Sequence, residues 1–192
     1  MDAPTFLNPA MVDTQVQAIM ASLKANLTWL DVAFGRAQRI TRMIGDKKYH
    51  HPAIYVGTQS TGFKNEYLEV MPDSKIGNFS FFYMLEPQTY AAERFRQGRI
   101  KAPFALIFWF DLRKVWNSDT NRDTETLKAQ IFKCLNRQTV LGHNGTITIA
   151  RVYETPEQIY KEFTVDEVEN QFLMHPYAGF RFEGFLIFDE EC

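Results

Sequence analysis

Four histidines are the residues of this sequence best suited to acid–base or metal chemistry: His50, His51, His143 and His175. Zinc ligands on one element usually recur at helical i, i+4 spacing or pair across a turn. His50 and His51 are consecutive, so on a strand their side chains point to opposite faces and do not bind one metal together. His51 and His175 each precede a proline, which favours an extended backbone. We interpret these histidines as residues at strand entrances and predict no metal site.

The carboxylates show no clearer catalytic pattern than the histidines. Asp111, Glu183 and Asp189 could supply a pair for hydrolysis, but their spacing singles out no two of them. The sequence has no Gly-rich phosphate or dinucleotide loop, no nucleophile elbow and no calcium loop. We therefore predict a protein without a cofactor and without catalytic activity. A small intracellular hydrolase that uses His51 or His175 with a carboxylate is an alternative.

The composition favours an ordinary globular chain in a reducing compartment. Of the 192 residues 45% are hydrophobic, enough for a packed core, and the net charge of -2 argues against a dedicated nucleic-acid binder, which is normally basic. Cys134 and Cys192 form no C-x-x-C pair. The longest apolar run, 104–110, is far shorter than the ~20 residues of a membrane helix, and we see no signal peptide. We expect one domain over 1–192, with 1–12 as an N-terminal extension and no membrane partner.

The densest basic cluster of the chain consists of Arg94, Arg96, Arg99 and Lys101. It lies within residues 86–103, which we predict to be a protruding loop between two strands. Long loops on a rigid scaffold are often binding elements. These four side chains fit a solvated loop or, as interaction residues, a contact with an acidic partner surface or with phosphate groups.

A second stretch with interface-type residues lies near the C-terminus. Tyr177, Phe180 and Arg181 belong to residue types that are enriched where proteins meet. They are part of an alternating terminal strand, and such a strand at the edge of a sheet can pair with another chain. A protein-binding adaptor with an exposed sheet edge is therefore a further alternative.

Apolar periodicity predicts a long amphipathic helix near the N-terminus. Apolar residues recur at steps of three and four from Asp13, the predicted N-cap, to Phe34. Residues 36–45 are predicted to continue as a shorter helix or turn. A second helix is predicted to begin near Asp123 and to bury one face, made of Leu127, Ile131, Cys134 and Leu135.

Several β-branched or aromatic stretches bounded by Pro and Gly predict strands. They are 52–57, 66–72, 79–85, 104–112, 146–153 and 177–189. The continuous hydrophobicity of 104–112 predicts a strand covered on both faces, either central in its sheet or packed beneath a helix. A short helix is predicted after Thr155, and Gly184 is predicted to mark a bulge. This order of elements predicts an α+β fold, with a mostly antiparallel or mixed sheet and helices packed mainly on one face.

The order of these elements resembles that of tail-terminator, or tail-completion, proteins of long-tailed bacteriophages and their prophages. The resemblance rests on three elements. They are a leading amphipathic helix, a strand that begins Pro52, Ala53, Ile54, Tyr55, Val56, and an alternating last strand from Tyr177 to Asp189. The resemblance covers most of the chain. Residues 94–103 and 152–163 are extra relative to the small members of that family.

The resemblance implies a structural role with no cofactor and no catalysis. Subunits would assemble into a ring, commonly of six, that caps the tail tube and joins it to the head connector. The implied partners are copies of the chain itself, the tail-tube protein and head-connector proteins, and no specific nucleic-acid binding is expected. The protein would occur in the bacterial cytoplasm during assembly and then in the virion tail. Such a ring needs one heterologous interface repeated around a closed circle.

Overall fold

An eight-stranded mixed sheet forms the centre of the protein. The computed structural model describes residues 11–56, 67–91, 98–137, 145–166 and 168–189. The strands are β1 (Val32–Ile44), β2 (Lys47–Tyr55), β3 (Tyr67–Glu69), β4 (Phe79–Met84), β5 (Thr89–Ala91), β6 (Arg99–Asp111), β7 (Thr146–Tyr153) and β8 (Tyr177–Asp189). The helices are α1 (Val12–Asn26), α2 (Leu112–Trp116), α3 (Glu125–Arg137) and α4 (Pro156–Ile159), followed by a 3₁₀ helix (Asn170–Leu173).

The strand order is β3-β2-β1-β4-β6-β8-β7, and β5 pairs with β6 beside this path. The β1–β4 pair is parallel, and the other pairs are antiparallel. The predicted α+β class with a mixed, mostly antiparallel sheet is therefore confirmed. In the described part of the chain, no helix is long and apolar enough to cross a membrane.

The apolar strand predicted at 104–112 is the central strand β6, which lies between β4 and β8. It begins at Arg99 and pairs with β8 along its whole length, from Arg99↔Asp189 to Asp111↔Tyr177. Residues 86–103 therefore include β5 and the start of β6, where a protruding loop was predicted. Residues 92–97 lie outside the described part.

Helices cover both faces of the sheet, because both faces of β6 are apolar and need cover. Even-numbered residues of β6 such as Phe104 and Phe108 pack with α1 and α3 in one core cluster, on what we call the α1 face. Odd-numbered residues such as Ile107 and Trp109 pack with Ile159 and its neighbours on the opposite, α4 face. The prediction that helices pack mainly on one face fits the two longest helices, but α4 and the 3₁₀ helix lie on the other face.

The N-terminal helix is shorter than its periodicity suggests. It ends at Asn26, and the segment predicted to continue as helix or turn is strand β1. The N-cap residue is Met11. Asp13 lies in the first turn instead, where its Oδ1 is 3.2 Å from Nη1 of Arg36 on β1. The apolar spacing continues past the end of the helix because Leu27, Leu30 and Phe34 are also buried. These three residues belong to the following turn region and to strand β1.

The other predicted helices are confirmed. The Asp123 carboxylate accepts a hydrogen bond from the Thr126 N–H at 2.9 Å just before α3 begins. The four residues predicted to share one face of this helix are all buried. α4 begins at Pro156 with Thr155 as its N-cap residue.

The irregularity predicted at Gly184 belongs to the neighbouring strand. β8 stays in continuous register with β6, whereas the β7–β8 register shifts between Ile149 and Arg151. A Cβ at Gly184 would lie 1.9 Å from the carbonyl oxygen of Thr148. Gly184 therefore permits the close approach of β7. Since β8 pairs on both sides, the prediction of a C-terminal edge strand is wrong, and the described sheet ends at β3 and β7.

Candidate functional site

A hairpin of β1 and β2 extends from the sheet and ends in a solvent-exposed turn. The two strands pair from Gln38↔Ala53 to Ile44↔Lys47. Gly45 opens the two-residue turn with φ 59°, a left-handed conformation that glycine adopts without strain and that suits the first position of a type II′ turn. All residues of 41–48 are exposed, and we call this segment the hairpin tip.

The hairpin tip combines apolar and basic side chains. Met43 is 58% exposed and Ile44 is 47% exposed, although both are large hydrophobic residues. Residues 39–48 contain four positive side chains and a single negative one, Asp46. Exposed apolar groups rimmed by charges are typical of contact surfaces. The strand ladder behind the tip fixes its backbone, and because Met43 and Ile44 are consecutive strand residues, their side chains point to opposite faces of the hairpin.

An open pocket of about 300 Å³ lies at the base of the same hairpin, on the α1 face. Its lining residues, which define the base pocket, are Asp13, Arg36, Gln38, Tyr55 and Tyr67. The Tyr55 and Tyr67 rings meet edge-on with centroids 5.3 Å apart, and both residues are exposed. The pocket therefore offers an aromatic wall beside the Arg36–Asp13 ion pair.

The structure does bring one predicted histidine together with a carboxylate. Nδ1 of His51 lies 3.1 Å from Oε2 of Glu69, and the other oxygen of Glu69 pairs with Arg42. The His51 side chain is only 4% exposed. These contacts tie β1, β2 and β3 together at the base of the hairpin.

His50 points to the opposite face of β2, as predicted, and its Nδ1 lies 3.1 Å from Oγ1 of Thr41. Its backbone N–H donates to Oγ1 of Thr164, which joins the α4 face to β2. Because β2 begins at Lys47, both histidines lie within the strand and not at its entrance.

The remaining histidines are His175 and His143. His175 is exposed and precedes the cis Pro176, and His143 lies outside the described residues. Across the described ranges, no three His, Cys, Asp or Glu side chains are grouped so that they could hold a metal ion.

The predicted basic cluster is only partly described. Arg94 and Arg96 lie outside the described residues. Arg99 pairs with Asp189 of β8, with Nε and Oδ1 3.2 Å apart. The Lys101 ammonium lies 3.9 Å from the centre of the Phe185 ring. Both side chains therefore sit on the sheet and contact β8.

The predicted C-terminal interaction residues lie mostly inside the protein. Tyr177 is half-buried and stacks on Trp109 with centroids 5.1 Å apart. Phe180 and Arg181 are both 0% exposed, so neither is part of the surface of the protein. These side chains are buried because β8 lies between β6 and β7, where core clusters cover both faces of the sheet.

Arg181 is the centre of a buried charge network on the α4 face. Its guanidinium donates to Glu162, to Glu183 at 2.8 Å and to the carbonyl of Ile159 at 3.2 Å. Lys161 also pairs with Glu183 at 2.6 Å. Burial raises the pKa of Glu183, but the hydrogen bonds from Lys161 and Arg181 outweigh it and hold that pKa below its usual value.

Comparison of the chain with known protein families, with curated proteins and with solved structures finds no match.

Proposed function

We propose that this protein is a structural assembly protein of the tail-terminator type, which forms a ring at the tail–head junction of a long-tailed phage or prophage. The observation that carries the proposal is the hairpin tip, where Met43 and Ile44 stay exposed near the end of a projecting strand ladder. The order of helix, strands and closing strand, which resembles that family, gives the class of assembly.

A projecting hairpin of this kind is suited to binding another protein. Fully burying an exposed Met or Ile side chain contributes roughly 1.5–3 kcal/mol, and a pre-formed ladder loses little conformational entropy when it docks. A ring repeats one such contact between every pair of neighbours, so a modest interface becomes stable through closure. The proposed partners are copies of the chain itself, the tail-tube protein and head-connector proteins.

A hydrolase that uses His51 is the second candidate, because His51 and Glu69 lie in contact. A general base must come within hydrogen-bond reach of a substrate, about 2.6–3.2 Å. The imidazole of His51 is almost fully buried within the sheet, which favours a structural role for the pair.

A protein-binding adaptor is the third candidate, with β7 instead of β8 as the exposed edge strand. β7 ends the described sheet, and its eight residues, Thr146–Tyr153, pair with β8 on one side. An added peptide strand would bind there through main-chain hydrogen bonds. This edge lacks the exposed large apolar side chains of the hairpin tip, so we rank it below assembly.

Native mass spectrometry and negative-stain microscopy of the full chain test the proposal, with and without the tail-tube protein encoded by the same genome. We expect closed rings of one subunit number, free or bound at the ends of tail tubes. A chain that stays monomeric at all concentrations and does not bind tube ends would contradict the proposed function.

A further inference from the structure

We propose that the hairpin tip of one copy docks into the base pocket of a second copy, so that identical subunits join head to tail. This inference rests on the proposed assembly function, and it names the contact that would build the ring.

Among the described residues, most of the exposed large apolar side chains lie at the hairpin tip or in the base pocket. Six large hydrophobic residues are exposed, and four of them lie at the tip or in the pocket: Met43 and Ile44 at the tip, Tyr55 and Tyr67 in the pocket. A Met thioether makes favourable contacts with aromatic rings, and Ile packs well against them. A pocket of about 300 Å³ reaches the lower end of the roughly 300–1,000 Å³ typical of ligand sites. The tip therefore offers an apolar side chain on each face of the hairpin, Met43 on one and Ile44 on the other, and either can pack against the aromatic wall of the pocket.

The tip and the pocket of one chain cannot meet each other. The pair Gln38↔Ala53 at the pocket and the pair Ile44↔Lys47 near the turn belong to one continuous ladder. Six residues of strand separate Gln38 from Ile44, which corresponds to roughly 20 Å. The contact must therefore form between copies, and because it joins two different patches it is heterologous. Repetition of a heterologous contact produces a ring or an open filament.

Charge favours a second copy as the occupant. The chain carries a net charge of -2, and residues 39–48 carry four positive and one negative side chain, so the rest of the chain has a net charge of -5. The tip is thus attracted to the body of another copy and repelled by another tip. This disfavours a symmetric tip-to-tip dimer.

Complementation between two variants tests the docking directly. The tip variant carries Met43→Ser and Ile44→Ser, and the pocket variant carries Tyr55→Ser and Tyr67→Ser. Each variant alone should self-associate at least tenfold more weakly than the natural chain. In a mixture, the intact tip of the pocket variant can dock into the intact pocket of the tip variant. The other tip and the other pocket of that pair are both altered, so no further copy can add. The mixture should therefore give 1:1 dimers and nothing larger by native mass spectrometry.

A cross-link gives a second readout that is independent of affinity. In a background with Cys134→Ala and Cys192→Ser, Met43→Cys protein mixed with Tyr67→Cys protein should form a mixed disulfide on oxidation, since bridged Cα atoms must lie about 4.4–6.8 Å apart. The matched control mixes Met43→Cys with Tyr90→Cys, because Tyr90 is also an exposed tyrosine, 58% against 38% for Tyr67, but lies on β5. We expect at least tenfold more mixed disulfide in the first mixture.

The outcomes separate this inference from the proposed function. Dimers in the complementation mixture together with the selective disulfide would support the docking. If the natural chain forms rings but neither result is seen, the docking is wrong and the assembly function stands. If the natural chain neither forms rings nor binds tube ends, and Met43→Cys and Tyr67→Cys proteins form no selective disulfide, both are wrong.

Discussion

Arg181 and Glu162 form a two-pronged ion pair in the interior of the protein, with Nη2 of the arginine 2.6 Å from Oε1 of the carboxylate. The guanidinium is fully buried, and the β8 strand that carries it lies between β6 and β7. The same contact fixes the segment around α4 to the sheet. Arg181, which the sequence suggested as an interface residue, thus holds parts of the same chain together.

Replacement of Arg181 by Met should lower the free energy of unfolding by about 3–5 kcal/mol, because it leaves carboxylates without their buried partner. Urea unfolding followed by circular dichroism measures the change. The matched control is Arg99→Met, which also breaks an arginine–carboxylate pair on the sheet, but with an arginine side chain that is 42% exposed. Its cost should stay below about 1 kcal/mol. Equal costs would refute the structural role assigned to Arg181.

Stability should depend on pH through Glu183. Its pKa in the folded protein lies below the ordinary value of 4.5, so its ionised form stabilises the fold above pH 4.5. That contribution is lost as the pH falls through the lower folded value. Glu183→Gln should therefore be less stable than the natural chain at pH 7, and the difference should shrink below pH 4.5. A difference that stays constant over this range would show that the charge of Glu183 does not matter.

Much of the sheet could be predicted from the sequence because the strands carry their own signals. The predicted strand 146–153 coincides with β7, and the predicted last strand 177–189 coincides with β8. Both alternate in polarity and are bounded by turn residues. β6 was predicted to be covered on both faces because of its continuous hydrophobicity, and it is central in the sheet with both faces covered.

The hairpin that forms the candidate site was not predicted, because the helical spacing of apolar residues favoured a helix or turn over 36–45. Gly45 and Asp46 stand between Ile44 and Lys47, and a two-residue Gly-Asp turn between extended runs is typical of hairpins. The apolar spacing up to Phe34 favoured a helix instead, and the basic, exposed residues of 36–44 show no clear alternation. Exposure of Met43 and Ile44 depends on which strands reach beyond the sheet, which is a tertiary property that local sequence does not encode.

Gly184→Ala should destabilise the protein by about 3 kcal/mol, because the added methyl group would collide with the β7 backbone at Thr148, which has no flexible end to move aside. Gly45→Ala is the comparison, since it meets no atom within 4 Å and costs about 1 kcal/mol through its positive φ alone. Hydrogen exchange should also show loss of protection in β7 for the first variant only. If the two variants lose similar amounts of unfolding free energy and β7 keeps its protection from hydrogen exchange, β7 can shift to make room for the methyl group.

His51→Ala should cost about 1–3 kcal/mol of stability, since it removes a buried polar partner of Glu69. His175→Ala should stay within about 0.5 kcal/mol, because the residue is exposed. Thermal unfolding measures both, and ring formation should be unchanged in the double variant. Loss of a hydrolytic turnover in a folded His51→Ala protein would instead favour the enzyme alternative.

The central claim is that the exposed hairpin tip is an assembly contact, and sedimentation of the natural chain beside its Met43→Ser, Ile44→Ser variant tests it most directly. Both substitutions lie in solvent, so the variant should keep the unfolding free energy of the natural chain within about 0.5 kcal/mol. We predict a closed oligomer for the natural chain and a monomer for the variant at the same concentration. Identical sedimentation of the two proteins would contradict the claim.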